Sequence, residues 1–356
     1  MNRYKILYFM HCSWGWIKQR PHFIAEGLSE SCDLTVVTKW EFTKQVVNNG
    51  KNVNIKRLFR MPFERFHLVF LINSIIYKIQ LHILGRKCDY IWLMSPDQYN
   101  LLTKSLKRKK IIYDCMDDML EFPMTEAKKN MLQEAEYNLC KSSYVIFTSS
   151  TYLKGKLQKR YSVENIHVVN NAIKDITDFS IELPAKLQHC FDDNCTDITY
   201  IGTISSWLDV ELLMLIIEHH PDVVVNLFGP LEIELPENKN LRYCGVLSHD
   251  EVFAAMDRSD ILIMPFILNE LILSVNPVKL YEYIYSGKVC IAPRYGESLQ
   301  FEEYVYLYNN RDECVKLIGD LKATGCKTKQ SLCDSRKFAA NNTWKKRVET
   351  ILKIVE

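Results

Sequence analysis

Short apolar segments alternate with helical patterns along nearly the whole chain, and this alternation limits the fold more than any other feature. Seven segments within residues 4–169 have the length and composition of buried strands, and helical patterns separate most of them. Six more follow within residues 197–308. Strands that alternate with helices form parallel sheets, because each crossover returns the chain to the same end of the sheet. The sequence therefore predicts an α/β protein with two successive Rossmann-like domains.

The interruption between the two series suggests the domain boundaries. A length of 356 residues suits two domains. We predict a first domain at residues 1–172, a linker without clear periodicity at 173–194 and a second domain at 195–335. A tail helix is expected at 336–356. Ligands of such sheets bind beyond the carboxyl ends of the strands, so we expect the two domains to face each other across a cleft.

Cysteine usage indicates a reducing compartment. The chain has 12 cysteines, none in Cys-x-x-Cys spacing, and most lie in or beside apolar segments. Such residues are expected to be reduced and buried rather than paired in disulfides or bound to zinc. Residues 1–10 are interpreted as a first strand, since they lack the length and cleavage site of a signal peptide. We therefore predict a cytoplasmic protein.

Charge is distributed unevenly between the two halves of the chain. Residues 1–175 contain 27 Lys and Arg against 16 Asp and Glu, a net charge of +11, whereas the remainder carries −9. Such asymmetry indicates that the first half faces an anionic partner, either nucleic acid or an anionic membrane surface. Nucleic-acid binding would need a basic face with a recognition element or stacking aromatics. We favour the membrane, because one hydrophobic and basic segment dominates the basic half of the chain.

The segment at residues 57–87 is the reason for that preference. Its centre is apolar, but polar residues interrupt it too often for a typical transmembrane helix. It is either a buried helix of the first domain or an interfacial segment, which would place the protein peripherally on the inner face of the cell membrane. Its basic residues are Arg57, Arg60, Arg65, Lys78, Arg86 and Lys87.

Residues 269–287 contain the most specific candidate site. Asn276 suits an N-cap, Pro277 the first helical position, and Gly287 a helix end. Lys279 would add a charge to a helix N-terminus that already favours anions. Glu282 lies one turn further on the same face and could accept hydrogen bonds from a vicinal diol. The pattern is that of a diphosphate and ribose site, although an ordinary capped helix with an exposed ion pair also fits it.

Other polar loops follow predicted strands. Gly15 follows the first strand, but the full Gly-x-Gly-x-x-Gly pattern is absent, which disfavours a dinucleotide site. Asp117 and Asp118 follow a strand and are candidate general bases, with a solvated acidic loop as the alternative. The second domain opens with Gly202 and Thr203, and its next strand ends at Gly229. No nucleophile elbow, Walker loop or His-Glu-x-x-His motif occurs.

Three motifs resemble those of a known family. They are Trp-Ile-Lys-Gln-Arg-Pro-His at 16–22, Tyr-Ile-Gly-Thr-Ile-Ser-Ser-Trp-Leu-Asp at 200–209 and Asn-Pro-x-Lys-x-x-Glu-Tyr at 276–283. The chain resembles GT-B glycosyltransferases, in particular the family 4 (group 1) enzymes of bacterial polysaccharide assembly. The resemblance extends over essentially the whole chain. It implies the GT-B fold, with the tail helix returning to the first domain.

The resemblance also implies roles for individual residues. A nucleoside-diphosphate sugar would be held mainly by the second domain, at Gly202, Thr203, Gly229, Asn276, Pro277, Lys279 and Glu282. Gly15 would approach the phosphate from the first domain, and Trp16 and Arg20 are candidates for phosphate or acceptor contacts. Asp117 or Asp118 would lie near the acceptor, a glycan that we expect to be lipid-linked, and would act as base if the enzyme inverts the anomeric carbon. If the enzyme retains the configuration, the sequence names no protein nucleophile. No metal and no cofactor besides the donor are expected.

The chain departs from the family pattern at one position of the donor motif. Many relatives have Glu-x7-Glu, and Ser274 stands where the first glutamate is expected. Two further functions remain open, the first because it shares this architecture and the second because of the changed glutamate. One is a nucleotide-sugar epimerase, and the other is a module that binds nucleotide sugars without catalysis.

Overall fold

The chain divides into two compact units. The computed structural model describes residues 3–15, 18–39, 53–174, 184–192 and 194–355. Unit 1 comprises residues 1–171 together with 344–356, and unit 2 comprises 172–343. Elements are numbered along the chain, β1–β13 and α1–α12.

Unit 1 is built on a parallel sheet of seven strands in the order β3-β2-β1-β4-β5-β6-β7. The strands are β1 (Lys5–Phe9), β2 (Asp33–Lys39), β3 (Asn54–Leu58), β4 (Tyr90–Leu93), β5 (Lys110–Cys115), β6 (Ser143–Thr148) and β7 (Ile166–Val168). The helices are α1 (Arg20–Ser31), α2 (His67–Gly85), α3 (Pro96–Tyr99), α4 (Glu126–Ser142), α5 (Thr151–Tyr161) and α12 (Trp344–Val355).

Unit 2 has a parallel sheet of six strands in the order β10-β9-β8-β11-β12-β13. The strands are β8 (Thr196–Ile201), β9 (Val223–Phe228), β10 (Leu241–Tyr243), β11 (Ile261–Ile263), β12 (Val289–Pro293) and β13 (Tyr306–Tyr308). The helices are α6 (Val210–His219), α7 (His249–Arg258), α8 (Glu270–Leu273), α9 (Val278–Ser286), α10 (Arg311–Ala323) and α11 (Leu332–Asn341).

All of the segments predicted as strands are strands, and the prediction of two parallel α/β sheets is confirmed. Their central strands are buried on both faces, as in β9, where every residue is buried. Such strands are continuous apolar runs, because helices cover both faces of a parallel sheet. This pattern made them recognisable in the sequence.

The end of the chain differs from the prediction of a tail helix at 336–356. It forms two helices that belong to different units, since α11 lies in unit 2 and α12 in unit 1. The predicted linker, residues 173–194, belongs to unit 2, where Ile173 pairs with Thr343. Helix α11 ends at Asn341 and its C-cap is Asn342, and asparagine has a low helix propensity.

The return of the last helix to the first domain is confirmed. Helix α12 packs on α1, where the rings of Phe23 and Trp344 stack with centroids 5.3 Å apart. A Cβ on Gly27 would lie 2.6 Å from a methyl group of Val348. Glycine at that position therefore permits the two helices to approach closely.

Candidate functional site

The topology of each sheet marks where a ligand would bind. In doubly wound sheets, ligands bind beyond the carboxyl ends of the strands, where the strand order reverses. The reversal lies between β1 and β4 in unit 1, and between β8 and β11 in unit 2. Gly15 is exposed in the loop after β1, and Trp16 lies outside the described residues. In unit 2, the same kind of edge carries Gly202, Thr203 and the segment leading into α9.

Arg20 lies inside unit 1 and not on its surface, contrary to its predicted role as a phosphate or acceptor contact. Its guanidinium donates to a carboxylate oxygen of Asp114 at 2.7 Å, and both side chains are only 2% exposed. It also donates to the carbonyl oxygen of Val169 at 2.6 Å. These bonds connect α1 with the ends of β5 and β7. Arg20 therefore holds the ligand-binding edge of the sheet together.

Asp118 is paired within unit 1. Its carboxylate lies 2.9 Å from the ammonium group of Lys156 and 3.1 Å from a guanidinium nitrogen of Arg160. It also accepts a hydrogen bond from the backbone N–H of Leu120. Burial raises the pKa of Asp118, but the hydrogen bonds from Lys156 and Arg160 outweigh it and hold the pKa below its usual value. A carboxylate stabilised in this way is a poor proton acceptor.

Asp117 has a different environment one residue earlier. Burial raises the pKa of Asp117 to about 6. The positive charge of Arg20 lowers this pKa, whereas the negative charges of Asp114 and Asp118 raise it further. No side chain of the described residues pairs with its carboxylate, which is half-buried. A carboxylate with a pKa near the working pH is suited to general base catalysis. The structure thus distinguishes the two aspartates, which the sequence could not.

The loop that carries Asp117 is held by Ser149, which directly follows the neighbouring strand β6. The hydroxyl of Ser149 donates to the carbonyl oxygen of Met116 at 2.6 Å, and its backbone N–H donates to Cys115. Asn170 in turn donates to the carbonyl oxygen of Ser149 at 3.0 Å. Sequence reasoning missed the contribution of Ser149, although it follows a predicted strand. The sequence signal that could have identified Ser149 is a polar residue directly after a buried strand.

In unit 2, the helix of the candidate donor site begins one residue later than predicted. Helix α9 starts at Val278 and Pro277 is its N-cap, in an extended conformation. Asn276 is therefore not the N-cap residue; its side chain is buried and accepts a hydrogen bond from the hydroxyl of Tyr281 at 3.3 Å. Proline fixes φ but here has a ψ of 100°, which keeps it outside the helix. Gly287 ends the helix in the left-handed conformation, as predicted.

Lys279 and Glu282 lie on one partly exposed face at the start of α9. The ammonium group of Lys279 is 2.8 Å from a carboxylate oxygen of Glu282, and their side chains are 32% and 18% exposed. Tyr283, on the buried face, accepts a hydrogen bond from the N–H of Ile201 at the end of β8. This bond anchors α9 to the strand that precedes Gly202. The ion pair is therefore held at the ligand-binding edge of unit 2.

Gly202 and Gly229 bring two loops of unit 2 into close contact. Gly229 has a φ of +137°, and a Cβ there would overlap the carbonyl oxygen of Gly202. A Cβ on Gly202 would in turn collide with the hydroxyl of Tyr200, which donates to the carbonyl oxygen of Thr203. Loop packing thus explains both glycines. Their predicted approach to a donor, like that of Thr203, stays a prediction.

Ser274, where a glutamate is expected, and Lys239, which precedes β10, bear on which charged groups could contact a diphosphate in unit 2. Ser274 is buried and its hydroxyl donates to the carbonyl oxygen of Leu271, so it closes the short helix α8. Lys239 lines a surface cavity together with Pro221 and Asn240, which precede β9 and β10. It therefore lies at the amino end of the strands, away from the ligand-binding edge. Lys279 is thus the lysine that the structure places at the predicted donor motif.

Comparison by sequence relates the chain to a glycosyltransferase. No family model matches it. The chain is 24% identical over 257 residues to TuaH of Bacillus subtilis, which is named as a glycosyltransferase of teichuronic acid biosynthesis. The match covers 66% of this chain and 62% of the length of TuaH.

Comparison by structure covers the whole chain. The structure of Anabaena HepE in complex with UDP-glucose matches with a TM-score of 0.72 at 12% identity, over 99% of both chains. Sucrose-phosphate synthase from Thermosynechococcus elongatus matches with a TM-score of 0.76 at 12% identity, over 99% of this chain and 98% of that chain. Starch synthase IV from Arabidopsis thaliana, bound to ADP and acarbose, matches with a TM-score of 0.65 at 11% identity, over 99% of both. The chain therefore has the GT-B fold, and the architecture implied by the motifs at 16–22, 200–209 and 276–283 is confirmed.

Proposed function

We propose that this protein is a glycosyltransferase that moves a sugar from a nucleoside-diphosphate sugar to a hydroxyl group of a glycan acceptor. The observation that carries the proposal is the placement of Lys279 and Glu282 at the start of α9, beside the end of β8. A cation and a carboxylate at a helix N-terminus match the two polar parts of a nucleoside diphosphate. The diphosphate is anionic, and the ribose offers two neighbouring hydroxyl groups.

Donor binding would replace the ion pair between Lys279 and Glu282. Both side chains are partly exposed, and such pairs contribute only about 0–1 kcal/mol. Separating them therefore costs little. Lys279 would then contact the diphosphate, while Glu282 would accept hydrogen bonds from the ribose hydroxyls, each charge-assisted bond contributing about 1.5–3 kcal/mol.

In the proposed reaction, an acceptor hydroxyl attacks the anomeric carbon of the sugar. The new carbon–oxygen bond forms as the bond between the anomeric carbon and the diphosphate oxygen breaks, and the nucleoside diphosphate leaves. Asp117 takes the proton of the hydroxyl, since its carboxylate has a raised pKa and no paired side chain among the described residues. Lys279 and the N-terminus of α9 stabilise the charge on the leaving diphosphate. This assignment corresponds to inversion at the anomeric carbon.

The relatives support the choice of substrates. HepE was solved with UDP-glucose and with UDP, which favours a nucleoside-diphosphate hexose as the donor. TuaH is named for teichuronic acid biosynthesis, which favours a role in bacterial surface polysaccharide assembly with a lipid-linked glycan as acceptor. The 12 cysteines all lie within the described residues and form no disulfide there, which suits the reducing cytoplasm that we propose as the place of action. The resemblance also implies transfer without a metal ion, so we expect excess EDTA to leave the rate unchanged.

Calorimetric titration with UDP tests the donor site. We expect Glu282→Ala and Lys279→Ala to weaken UDP binding by about tenfold to a hundredfold, from the loss of one or two charge-assisted bonds. Helix α11 offers a matched control, because Lys337 and Asp334 form an ion pair with the same three-residue separation. Lys337→Ala and Asp334→Ala should leave UDP binding unchanged. Equal binding by the wild type and Glu282→Ala would refute the donor assignment.

Product analysis with a labelled UDP-hexose separates transfer from the alternatives. Transfer requires an acceptor, whereas an epimerase would convert the donor with no acceptor present. A binding module would bind UDP and leave the donor intact with any acceptor. We expect acceptor-dependent release of UDP by the wild type and none by Asp117→Asn.

A further inference from the structure

Helix α2 presents two chemically different faces. Its buried residues, Asn73, Tyr77, Leu81 and Gly85, recur every four positions. Tyr77 and Leu81 belong to the core of unit 1, and a Cβ on Gly85 would lie 3.0 Å from Leu7. Asn73 accepts from the N–H of Met61 at 2.8 Å and donates to its carbonyl oxygen at 3.1 Å. One face of the helix therefore packs against the core of unit 1.

The opposite face of α2 is apolar and exposed. Leu68 is 70% exposed, Ile75 59%, Ile79 55% and Ile83 58%, and these positions form one stripe along the helix. The loop before the helix continues the apolar surface. The exposed apolar side chains of this segment are Phe59, Met61, Phe63, Phe66, Leu68, Phe70, Leu71, Ile75, Ile79 and Ile83. Contiguous apolar patches of this kind mark interaction sites. The expectation of a buried helix is thus wrong, because only one narrow face of α2 meets the core.

The charge around this surface is predominantly positive. Residues 54–87 contain seven Lys and Arg and a single acidic residue, Glu64. Glu64 already forms an ion pair with Arg60 at 2.6 Å. Within α2 itself the only charged residue apart from histidines is Lys78, which is exposed. An apolar surface surrounded by cations is complementary to lipid chains beneath anionic headgroups.

The basic surface continues where α2 ends. Arg86 and Lys87 are exposed directly after the helix. Lys87 borders a surface cavity of about 830 Å³, whose other basic residues come from the starts of β1 and β5. These lining residues are Arg3, Lys5, Lys87, Arg108, Lys109 and Lys110. The cavity can accept anionic headgroups beside the apolar stripe.

We propose that this face of unit 1 docks on an anionic lipid bilayer, with α2 lying in the plane of the interface and its apolar stripe among the lipid chains. By length and composition, α2 is the described helix that could cross a membrane. The bonds of Asn73 and the packing of Tyr77 and Leu81 hold it against the sheet, so crossing would require unit 1 to unfold locally. A second copy of the chain is disfavoured as the partner, because two such surfaces would bring like charges together. The docking site is independent of the donor site in unit 2.

Co-sedimentation with lipid vesicles tests this proposal. We expect the wild type to bind vesicles that contain phosphatidylglycerol and to bind pure phosphatidylcholine vesicles much more weakly. Ile79→Glu should reduce binding by at least about tenfold, because it places a negative charge in the apolar stripe facing anionic lipid. Val246→Glu is the control, since Val246 is a 63% exposed apolar residue in unit 2. It should bind like the wild type.

A second pair of variants tests the charge. Arg86→Ala/Lys87→Ala should weaken binding to the anionic vesicles and make it less sensitive to salt. The control is Lys345→Ala/Lys346→Ala, which removes two exposed charges from the start of α12. Circular dichroism and UDP titration of each variant monitor the fold and the donor site.

Three outcomes would overturn the proposal. The first is equal vesicle binding by Ile79→Glu and Val246→Glu. The second is a dimer in light scattering that Ile79→Glu dissociates, without vesicle binding by the wild type. The third is resistance of bound protein to extraction by alkaline carbonate, which would indicate that α2 crosses the bilayer. Unchanged UDP binding in any of these cases would leave the proposed glycosyl transfer intact.

Discussion

Replacement of Asp117 by asparagine is expected to stop transfer and, at the same time, to stabilise the protein. Burial raises the pKa of Asp117 from an ordinary 3.8 to about 6. The carboxyl group thus binds its proton more tightly in the folded than in the unfolded chain, so its ionised form opposes folding. A difference of about two pH units corresponds to about 3 kcal/mol above pH 6. Allowing for partial exposure, we expect Asp117→Asn to gain about 1–3 kcal/mol at pH 7.5.

Thermal unfolding at two pH values measures this effect. For a unit of this size, 1 kcal/mol corresponds to about 2–4 °C, so a gain of about 1–3 kcal/mol should raise Tm by roughly 2–12 °C at pH 7.5. The gain should fall as the pH drops below about 6 and vanish below about pH 3, where the carboxyl group is protonated in both states. Asp118→Asn is the matched control on the adjacent residue. Its pKa is lowered by Lys156 and Arg160, so its loss should destabilise the protein by about 1–3 kcal/mol at pH 7.5.

The pH dependence of the transfer rate completes the test. With a pKa of about 6, only about one tenth of Asp117 is ionised at pH 5, so kcat/KM should be about tenfold below its plateau there. An ordinary aspartate would remain ionised at that pH. A rate that is flat between pH 5 and 8 would refute the role of Asp117 as base. So would an Asp117→Asn variant that is less stable than the wild type at pH 7.5.

Further predictions concern the groups that support the two ligand-binding edges. Arg20→Met should destabilise unit 1 by about 3–5 kcal/mol in chemical denaturation, because it leaves the buried carboxylate of Asp114 without its partner. The double variant Arg20→Met/Asp114→Asn should recover part of that loss of stability. No recovery would contradict the importance of the pair. Gly229→Ala should destabilise unit 2 by more than about 1 kcal/mol, because of its positive φ and the overlap with Gly202. Gly155→Ala, on the open surface of α5, should instead stabilise the protein by up to about 1 kcal/mol. Similar changes in stability for Gly229→Ala and Gly155→Ala would argue against the tight contact between Gly229 and Gly202.

The donor motif shows which structural features a local sequence pattern predicts correctly and which it does not. Gly287 ends α9 as predicted, since a left-handed helix end is a local property that glycine favours. Asn276 was predicted to cap the same helix but bonds to Tyr281 instead. Several local partners were available to its amide, and the packing of α9 selected one of them. The spacing of Lys279 and Glu282 predicted a shared face correctly, because helical periodicity fixes it.

Helix α2 shows what composition leaves open. Its residues are apolar on nearly every side, a pattern that suits a buried helix as well as an interfacial one. Burial depends on what packs against the helix, and those partners come from distant parts of the chain. Only the folded structure identifies Asn73 and Tyr77 as the inner face and Ile75 and Ile79 as the outer face.

The sequence by itself determined the two parallel sheets, their strands and the residues of the donor motif, because hydrophobic periodicity and helix ends depend on near neighbours along the chain. Tertiary structure decided the roles of individual charged residues. Arg20 became a buried partner of Asp114, and Asp118 a partner of Lys156 and Arg160. Among the described residues, no side chain pairs with Asp117, whose pKa is raised by burial. The pKa of a carboxyl group depends on burial and on charges within a few ångströms. Arg160 lies 42 positions from Asp118, and Arg20 lies 94 positions from Asp114, so no local pattern could reveal these neighbours.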